Sequence, residues 1–246
     1  MNLIILQPDE ISPSGEVHLS GIRATHLLNV LKAAPGDTVR IGLVDGPLGV
    51  GAVQSIADTT AMLRCRFESA VPARPQVDLL LALPRPKVMR RLWAQLAAVG
   101  VGQIILTNAE RVERNYFDTH VLTPECYRPL LIEGLQQARD TQLPQVSVHK
   151  QFKVLVEDKL DSLSARSLRL VADPDAAAQP GTVVQSRQER PVLIAIGPEG
   201  GWNEFEIALL QTHNFVLVGM GPRTLRTDTA CIALLTLIHD ALRSST

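Results

Sequence analysis

The sequence is short of cysteine, of aromatic residues and of any excess of charge. Its 246 residues include three cysteines, Cys65, Cys126 and Cys231, which are odd in number, far apart and outside any CxxC spacing. This pattern favours reduced thiols over a disulfide framework or a zinc site, so we assign the cysteines no chemistry and expect no metal. Because the formal net charge is only -1, binding to a nucleic acid would need a local basic patch rather than overall attraction.

Long hydrophobic runs are also missing. No stretch approaches the roughly 18 apolar residues of a membrane span, and the apolar run in residues 1–8 is too short, and lacks the basic flank, for a signal peptide. We therefore expect a soluble, cytoplasmic protein that does not enter membranes. Since 46% of the 246 residues are hydrophobic, the chain can fill a substantial core, and its length favours two unequal domains.

Two prolines in residues 71–75 indicate a linker, which gives predicted domains at residues 1–72 and 73–246. The first domain contains short strand-like segments separated by turn residues, and one helical stretch. A small β-barrel with a helix inserted near its start would satisfy this pattern. The predicted strands are residues 17–19, 38–44, 49–56 and 61–67, and the helix is residues 22–32.

The second domain alternates nearly continuous apolar runs with longer amphipathic segments. Such runs are typical of strands buried on both faces, and their alternation with helices predicts an open parallel sheet in an α/β fold. Ligands of these sheets bind beyond the carboxyl ends of the strands, so we expect the chemistry in the loops that follow them. The strands are residues 77–83, 103–106, 168–172, 192–196 and 215–218, the helices 88–99, 124–139, 204–212 and 228–243, and the loops 84–87, 107–111, 173–175, 197–201 and 219–223.

A glycine-rich loop follows the strand that ends at Ile196. Asn203 is a predicted N-cap for the next helix, with Glu206 reaching back in a capping box. Three glycines would let the backbone approach a ligand closely. The spacing is neither GxGxxG nor that of a P-loop, which excludes the common dinucleotide and phosphate loops. From the residues alone, an ordinary strand-to-helix turn and a ligand loop both remain open.

A second loop, residues 219–230, places two arginines and an acid before an apolar helix. Thr227 is the predicted N-cap, and Asp228 would complement the positive end of the helix dipole, so simple capping can account for both. Arg223 and Arg226 need another explanation, because arginines between a Gly-Pro turn and a helix start usually hold an anion or a carbonyl group.

Together these two loops closely resemble the two hallmark motifs of the ribosomal RNA small subunit methyltransferase E family, within the SPOUT superfamily of knotted methyltransferases. The matching segments are residues 196–201 and 219–230, in this order and close to the end of the chain. The resemblance extends over the whole chain. Residues 26–32 match an early helical motif of the family's PUA-like N-terminal barrel, and Glu110-Arg111 match a loop of its catalytic domain.

The resemblance implies a deep trefoil knot at about residues 168–230, an exception to the rule that chains avoid knots. It also implies a homodimer whose active sites are completed at the interface. S-adenosylmethionine would bind bent within the knot, and the product would be N3-methyluridine in small-subunit (16S) ribosomal RNA. The cofactor-binding positions carried over are Ala172, Ile196, Gly197, Pro198, Gly200, Gly201, Val218, Gly219, Met220, Gly221, Arg223 and Leu225.

Some positions depart from the family pattern. Asn29 and Lys32 stand where the family commonly has arginines that grip RNA, and Met220 replaces a usual leucine at similar volume. Asp228 stands in place of the commoner glutamate. Residues 136–141 read Gln-Gln-Ala-Arg-Asp-Thr instead of the usual acidic, glutamine-rich and arginine pattern.

Methylation of uracil N3 requires that its proton leave, because the protonated nitrogen is a poor nucleophile. We expect Arg226 to stabilise the charge on O2 or O4, and Asp228 or Glu199 to accept the proton. Basic residues in the loops would bind the RNA, although each one alone could be a solvated surface charge. The candidate RNA-binding residues are Arg23, His26, Lys32, Arg85, Lys87, Arg90 and Arg111.

Two other functions are consistent with parts of the sequence. A non-catalytic RNA-binding factor in ribosome assembly could keep the fold without turnover, although the intact motif around Arg223 and Arg226 weighs against it. An unrelated nucleotide-binding α/β enzyme is disfavoured by the lack of either phosphate-loop spacing. We interpret His149 as a surface or packed residue without a catalytic role, and Trp202 as a packing residue.

Overall fold

The structure is a computed structural model that describes residues 3–57, 59–187 and 191–244. The chain forms two compact units, one of Met1–Arg74 with Ile132–Leu143 and the other of Pro75–Leu131 with Pro144–Thr246. The predicted boundary after residue 72 lies two residues before the end of the first range, whereas residues 132–143, expected in the second domain, belong to the first unit.

The first unit is built on a five-stranded sheet in the order β1-β3-β4-β5-β2. Strand β1 pairs with β3 in parallel, and the other neighbours are antiparallel. Strand residues Leu6, Leu19, Ile41 and Leu63 are fully buried on one side of the sheet and form the centre of the core with Leu27 of α1. The elements are β1 (Ile4–Leu6), a 3₁₀-helix (Pro8–Glu10), β2 (Glu16–Ser20), α1 (Gly21–Asn29), β3 (Thr38–Leu43), β4 (Leu48–Ala57) and β5 (Thr60–Phe67).

Helix α1 ends earlier than the predicted residue 32. Lys32 has a left-handed backbone (φ 51°), which an α-helix cannot contain, and the N–H of Ala33 donates to the carbonyl of Leu27 (3.0 Å). This arrangement closes the chain back onto the last turn of the helix. The helix therefore stops at Asn29, and Lys32 lies in the turn that follows.

Residues 132–143 stabilise the turn between β3 and β4. Buried Thr141 donates its hydroxyl to the carbonyl of Gly46 (2.6 Å) and accepts the N–H of Asp45 at its own carbonyl (2.8 Å). The Asp45 carboxylate accepts the N–H of Leu143 (3.1 Å). The segment that departs from the family pattern at residues 136–141 thus ends in a structural role within the first unit.

The second unit contains a six-stranded sheet in which every neighbouring pair is parallel, and this confirms the predicted α/β class with a parallel sheet. All five predicted strands are present. A sixth, β8, was missed because its edge position leaves it half exposed, without a continuous apolar run. The strands are β6 (Val77–Ala82), β7 (Gln103–Thr107), β8 (Gln145–His149), β9 (Leu168–Ala172), β10 (Val192–Ile196) and β11 (Phe215–Val218).

Helices α7 and α8 pack against this sheet, and the four predicted helices are present within one or two residues at each end, although residues 132–138 of α3 belong to the first unit. No helix in the described part of the chain is long and apolar enough to span a membrane. The helices are α2 (Pro86–Val99), α3 (Pro124–Ala138), α4 (Phe152–Val154), a π-helix (Leu155–Lys159), α5 (Leu160–Leu163), α6 (Pro180–Ser186), α7 (Glu204–Thr212) and α8 (Thr227–Arg243), with 3₁₀-helices at Arg114–Asp118 and His120–Leu122.

The strand order, β11-β9-β10-β6-β7-β8, positions the site. Strand β9 lies between β10 and β11 although it precedes both in the chain. The loops that follow these three strands therefore leave the same edge of the sheet side by side. Helix α8 follows β11 but packs against α2, α6, β6 and β10, so it covers the strands next to this edge.

Asp78, near the start of β6, makes the stability of the folded protein depend on pH. Burial raises its pKa from 3.8 to about 6, partly offset by the hydrogen bond that its carboxylate accepts from the N–H of Gln103. Because the pKa is higher in the folded protein than in the unfolded chain, Asp78 makes folding less favourable as the pH rises from about 4 to about 6, and the penalty is complete above that range.

We predict that Asp78→Asn stabilises the protein at pH 7 to 8 and has little effect near pH 4, because the amide carries no charge to bury. Urea unfolding across this pH range measures the difference. Asp118→Asn, at a side chain that is 77% exposed, controls for the loss of one negative charge. An Asp78→Asn variant whose advantage is the same at pH 4 and pH 8 would contradict the prediction.

Candidate active site

A cavity of about 370 Å³ opens at the carboxyl edge of β9, β10 and β11 in the second unit. Its wall consists of the ends of these strands, the loops that follow them and the first two turns of α8. All twelve positions that the family resemblance assigned to the cofactor lie in this wall. They are Ala172, Ile196, Gly197, Pro198, Gly200, Gly201, Val218, Gly219, Met220, Gly221, Arg223 and Leu225.

Backbone hydrogen bonds hold the loops after β9 and β11 together. The N–H of Asp173 donates to the carbonyl of Val218 (3.0 Å), and the N–H of Gly219 donates to that of Ala178 (2.9 Å). At Gly219 a side chain would overlap the carbonyl oxygen of Ala176 and lie 2.9 Å from that of Asp173. Gly219 is thus required for the two loops to pack, and this packing fixes one side of the cavity.

The predicted capping box starts helix α7 and is confirmed. Asn203 Oδ1 accepts the N–H of Glu206 and Glu206 Oε2 accepts the N–H of Asn203, both at 2.8 Å. Glu206 is buried, with 3% of its surface exposed, and its second oxygen accepts the N–H of Glu110 at 2.7 Å. The carboxylate therefore links the glycine loop to the loop after β7.

A second cavity, of about 450 Å³, lies where the loop after β6 meets the start of α8. It contains four cationic side chains and two carboxylates, so its wall carries a net positive charge. Glu199 and Thr227 belong to the walls of both cavities, which are therefore adjacent. The lining residues are Arg85, Lys87, Val88, Arg91, Glu199, Arg226, Thr227 and Asp228.

Asp228 lies between two arginines in this second cavity. Its Oδ2 is 3.0 Å from Arg91 Nη2, and its Oδ1 is 3.4 Å from Arg226 Nε and accepts the N–H of Thr229 at 3.0 Å. The Asp228 side chain is 18% exposed, whereas that of Arg226 is 70% exposed. Both oxygens of this carboxylate are therefore engaged, and the Arg226 guanidinium extends from it toward solvent.

The other predicted acid, Glu199, is exposed and has fewer contacts. The structure places its Oε1 3.5 Å from the N–H of Arg85. Thr227 was predicted as the N-cap of α8, and this was wrong by one residue: Arg226 is the cap position in an extended conformation, and Thr227 is the buried first residue of the helix.

The candidate RNA-binding residues have different environments. Arg85 and Lys87 line the second cavity and Arg90 is exposed on α2. The Arg111 guanidinium donates to the carbonyl of Gly200. In the first unit, Arg23 forms an ion pair with Glu10 that holds the pKa of that carboxyl below its usual range.

His26 and Lys32 are also in the first unit. The Nε2 atom of His26 is buried with no hydrogen-bond partner among the described residues, and Lys32 is exposed. His149, interpreted as a surface or packed residue, is half buried against Ser147 (Nε2 to Oγ 3.1 Å), and burial, followed by the charge of Lys159, lowers the pKa of its imidazole.

Several residues of the site were not in the predicted set. Thr227, Ala230 and Leu234 line the first cavity from α8, and their spacing of three and four residues puts them on one helix face. That spacing is visible in the sequence. Arg91 belongs to a basic cluster that the sequence shows at residues 85–91, whereas the place of Trp202 depends on packing between distant segments.

The geometry allows two kinds of binding side by side. The first cavity combines backbone groups with apolar side chains, which suits a small organic ligand of the size that such cavities usually hold. The second offers arginines and a lysine, which suit an anionic group.

Comparison with known proteins gives the site its context. Residues 72–239 match the family described as RNA methyltransferase domain. The chain is 29% identical over 244 residues to the ribosomal RNA small subunit methyltransferase E of Treponema pallidum, covering 95% of this chain and 88% of that protein. It is 25% identical over 234 residues to ribosomal RNA small subunit methyltransferase E 1 of Borreliella burgdorferi, covering 95% of each.

The fold is also similar to that of a solved structure that carries the same name as these two relatives. The ribosomal RNA small subunit methyltransferase E of Neisseria gonorrhoeae, crystallised with S-adenosyl methionine, superposes with a TM-score of 0.77 at 20% identity, covering 98% of this chain and 97% of that one. The resemblance to the ribosomal RNA small subunit methyltransferase E family is confirmed, and the chain belongs to the RNA methyltransferase family.

Proposed function

We propose that this chain transfers the methyl group of S-adenosylmethionine to N3 of a specific uridine in small-subunit ribosomal RNA. The observation that carries the proposal is the pair of adjacent cavities, one suited to a small organic ligand and one positively charged, which share Glu199 and Thr227. A methyl donor in the first cavity and a nucleotide in the second would meet at this shared wall.

The first cavity fits S-adenosylmethionine by its chemistry. Gly197, Gly200 and Gly201 expose backbone in its wall, and Ile196 and Leu225 supply apolar surface, a combination that suits an adenosine group. The bound cofactor would supply a methyl group attached to a positively charged sulfur. The twelve residues carried over from the family would hold it, and the cofactor bound in the Neisseria relative supports this assignment.

The residues of the second cavity would activate the uracil. Arg226 would stabilise the negative charge that develops on O2 or O4 when N3 loses its proton. Between the two candidate proton acceptors, the contacts favour Glu199, because both oxygens of Asp228 are already engaged by Arg91, Arg226 and the N–H of Thr229. Asp228 would then orient Arg226 rather than accept a proton.

Binding of the RNA would involve the basic residues near the second cavity. Arg85 and Lys87 in the cavity wall, with Arg90 on α2, are positioned to contact phosphates, which fixes the register of an RNA but not its sequence. Arg23, His26 and Lys32 would contribute from the first unit. The target base must leave its stack to reach a recessed methyl group, and these contacts would supply the binding energy.

Other parts of the proposal depend on the family resemblance. The trefoil knot at about residues 168–230 is supported by the strand order, in which the chain passes beyond β9 to form β11 and then packs α8 back against β10 and β6. The five-stranded sheet of the first unit supports a PUA-like barrel. We further propose a homodimer and a cytoplasmic location. Sedimentation equilibrium would measure the mass of the dimer.

The alternative function, a non-catalytic RNA-binding factor, shares the basic residues but needs no methyl donor. Nucleoside mass spectrometry separates the two functions. Small-subunit RNA from cells with and without the protein, and RNA treated with purified protein and S-adenosylmethionine, should differ in N3-methyluridine. If the purified protein binds no S-adenosylmethionine by calorimetry and N3-methyluridine is unchanged in both comparisons, the enzymatic proposal fails.

We predict that Arg226→Ala lowers the turnover number at least a hundredfold, in the range found when a group that stabilises developing charge is removed. The affinity for S-adenosylmethionine should stay within about twofold, because Arg226 lines only the second cavity. Arg243→Ala, at an exposed arginine near the end of α8, is the matched control and should keep full activity. An Arg226→Ala variant with parental turnover would remove Arg226 from the mechanism.

Binding of the RNA should weaken steeply with salt, because contacts to phosphates release counterions. We predict that Arg85→Ala and Lys87→Ala each reduce the slope of log affinity against log salt by about one. Titration of fluorescent small-subunit RNA between 50 and 300 mM salt, roughly the range over which counterion release is measured, tests this, with Arg243→Ala as control. Unchanged slopes in both variants would show that these residues do not contact phosphate.

A further inference from the structure

Two contacts join the loop after β7 to the glycine loop after β10. The N–H of Glu110 donates to Glu206 Oε1 at 2.7 Å, and the guanidinium Nη1 of Arg111 donates to the carbonyl of Gly200. These partners are about 90 residues or more apart in the chain. We call this pair of contacts the clasp.

The Arg111 side chain fills the space beside Gly200. A Cβ atom there would lie 2.9 Å from Cδ, 3.5 Å from Cβ and 3.7 Å from Cγ of Arg111. Gly200 is not among the glycines with a positive φ, so its backbone conformation does not itself require glycine. The stem of Arg111 lies across Gly200 and occupies the space that a side chain would need.

At the neighbouring Gly201 a side chain is disfavoured for a different reason. Its φ is +73°, a left-handed conformation in which a side chain is strained, and the nearest Arg111 atom would be 4.0 Å from an added Cβ. Both glycines line the first cavity, whereas Arg111 is not among the described residues of its wall. Arg111 therefore contacts the loop from outside the cavity that the loop helps to form.

From this geometry we infer that Arg111 is a positioning residue for the cofactor loop, which it holds by the carbonyl of Gly200, rather than a contact for RNA. The inference rests on the proposed function for the identity of the ligand. The buried Glu206 carboxylate accepts the N–H of Glu110 in one loop and the N–H of Asn203 at the end of the other, and Arg111 adds a third contact between these segments. A hydrogen bond from a charged donor to a carbonyl is strong enough for this role.

The test is a double-mutant cycle that measures the Kd of S-adenosylmethionine by calorimetry. Arg111→Ala should raise the Kd about tenfold, since it removes a charge-assisted hydrogen bond. Gly200→Ala should raise it by a similar factor in the parent protein. In the Arg111→Ala background, however, Gly200→Ala should change the Kd less than about twofold, because the space for the added methyl group has been opened.

Gly201→Ala is the matched control within the same loop. Its strain comes from the backbone angle, so its effect on the Kd should be the same with and without Arg111. If Gly200→Ala is equally harmful in both backgrounds, Gly200 is needed for contact with the ligand and the inference is wrong. Arg111→Lys, which keeps a charged donor, should recover part of the affinity.

Amide hydrogen exchange of the ligand-free protein provides a second measurement that needs no cofactor. The N–H of Gly201 donates to the carbonyl of Pro198 at 2.8 Å, and its exchange should be about three to ten times faster in Arg111→Ala. A parent protein that does not bind S-adenosylmethionine would contradict the proposed function, while the exchange rate would still decide whether the clasp holds the loop.

RNA-binding measurements test the alternative that Arg111 contacts a phosphate of the RNA. If Arg111 contacts phosphate, Arg111→Ala should lower the salt slope of RNA binding by about one and leave the Kd of the cofactor and the exchange of Gly201 unchanged. That result would overturn the inference. We expect the opposite: a parental salt slope together with weaker cofactor binding and faster exchange.

Discussion

The position of β9 between β10 and β11 is the constraint on which the site depends. Because all three strands are parallel, their carboxyl ends meet at one edge, and loops from residues 173, 197 and 219 onward are forced together. The loops are then joined by their own backbone, as in the hydrogen bond from Gly219 to Ala178. The first cavity is therefore a consequence of strand order, which brings glycines, apolar side chains and charged residues such as Glu199 and Arg223 into one wall.

The charged side chains lie next to this frame, at the start of α8 and in the loop before α2. Asp228 is the most enclosed of them, and its contacts with Arg91 and Arg226 link two segments that the sequence separates by 137 residues. A carboxylate held by two arginines is better suited to orient them than to exchange a proton. The exposed Glu199 lies in the shared wall of the two cavities, and under the proposed function it is the candidate proton acceptor.

Local sequence patterns predicted much of this architecture. They failed where contacts between distant segments determine the position of a residue. The capping box of Asn203 and Glu206 is a three-residue signal and was found as expected. Thr227 has the chemistry of an N-cap, yet packing buries it and moves the cap to Arg226. Strand β8 lies at the sheet edge without a continuous apolar run, and Thr141 joins the first unit through Gly46, a contact across 95 residues that no local pattern contains.

The glycines also show that the role of a single residue cannot be predicted from local sequence alone. Sequence reasoning left two explanations open for the glycine loop, an ordinary strand-to-helix turn and close approach to a ligand, and contacts within the protein account for glycines in this loop and in the loop after β11. Gly201 is set by its backbone angle, Gly219 by the carbonyl of Ala176, and Gly200 by the stem of Arg111. A motif can therefore be highly specific to a family and still reflect loop packing at many of its positions, since a cavity of fixed shape requires loops that cannot shift. In this molecule contacts within the protein, such as that of Arg111 with the carbonyl of Gly200, help to set the shape of the first cavity.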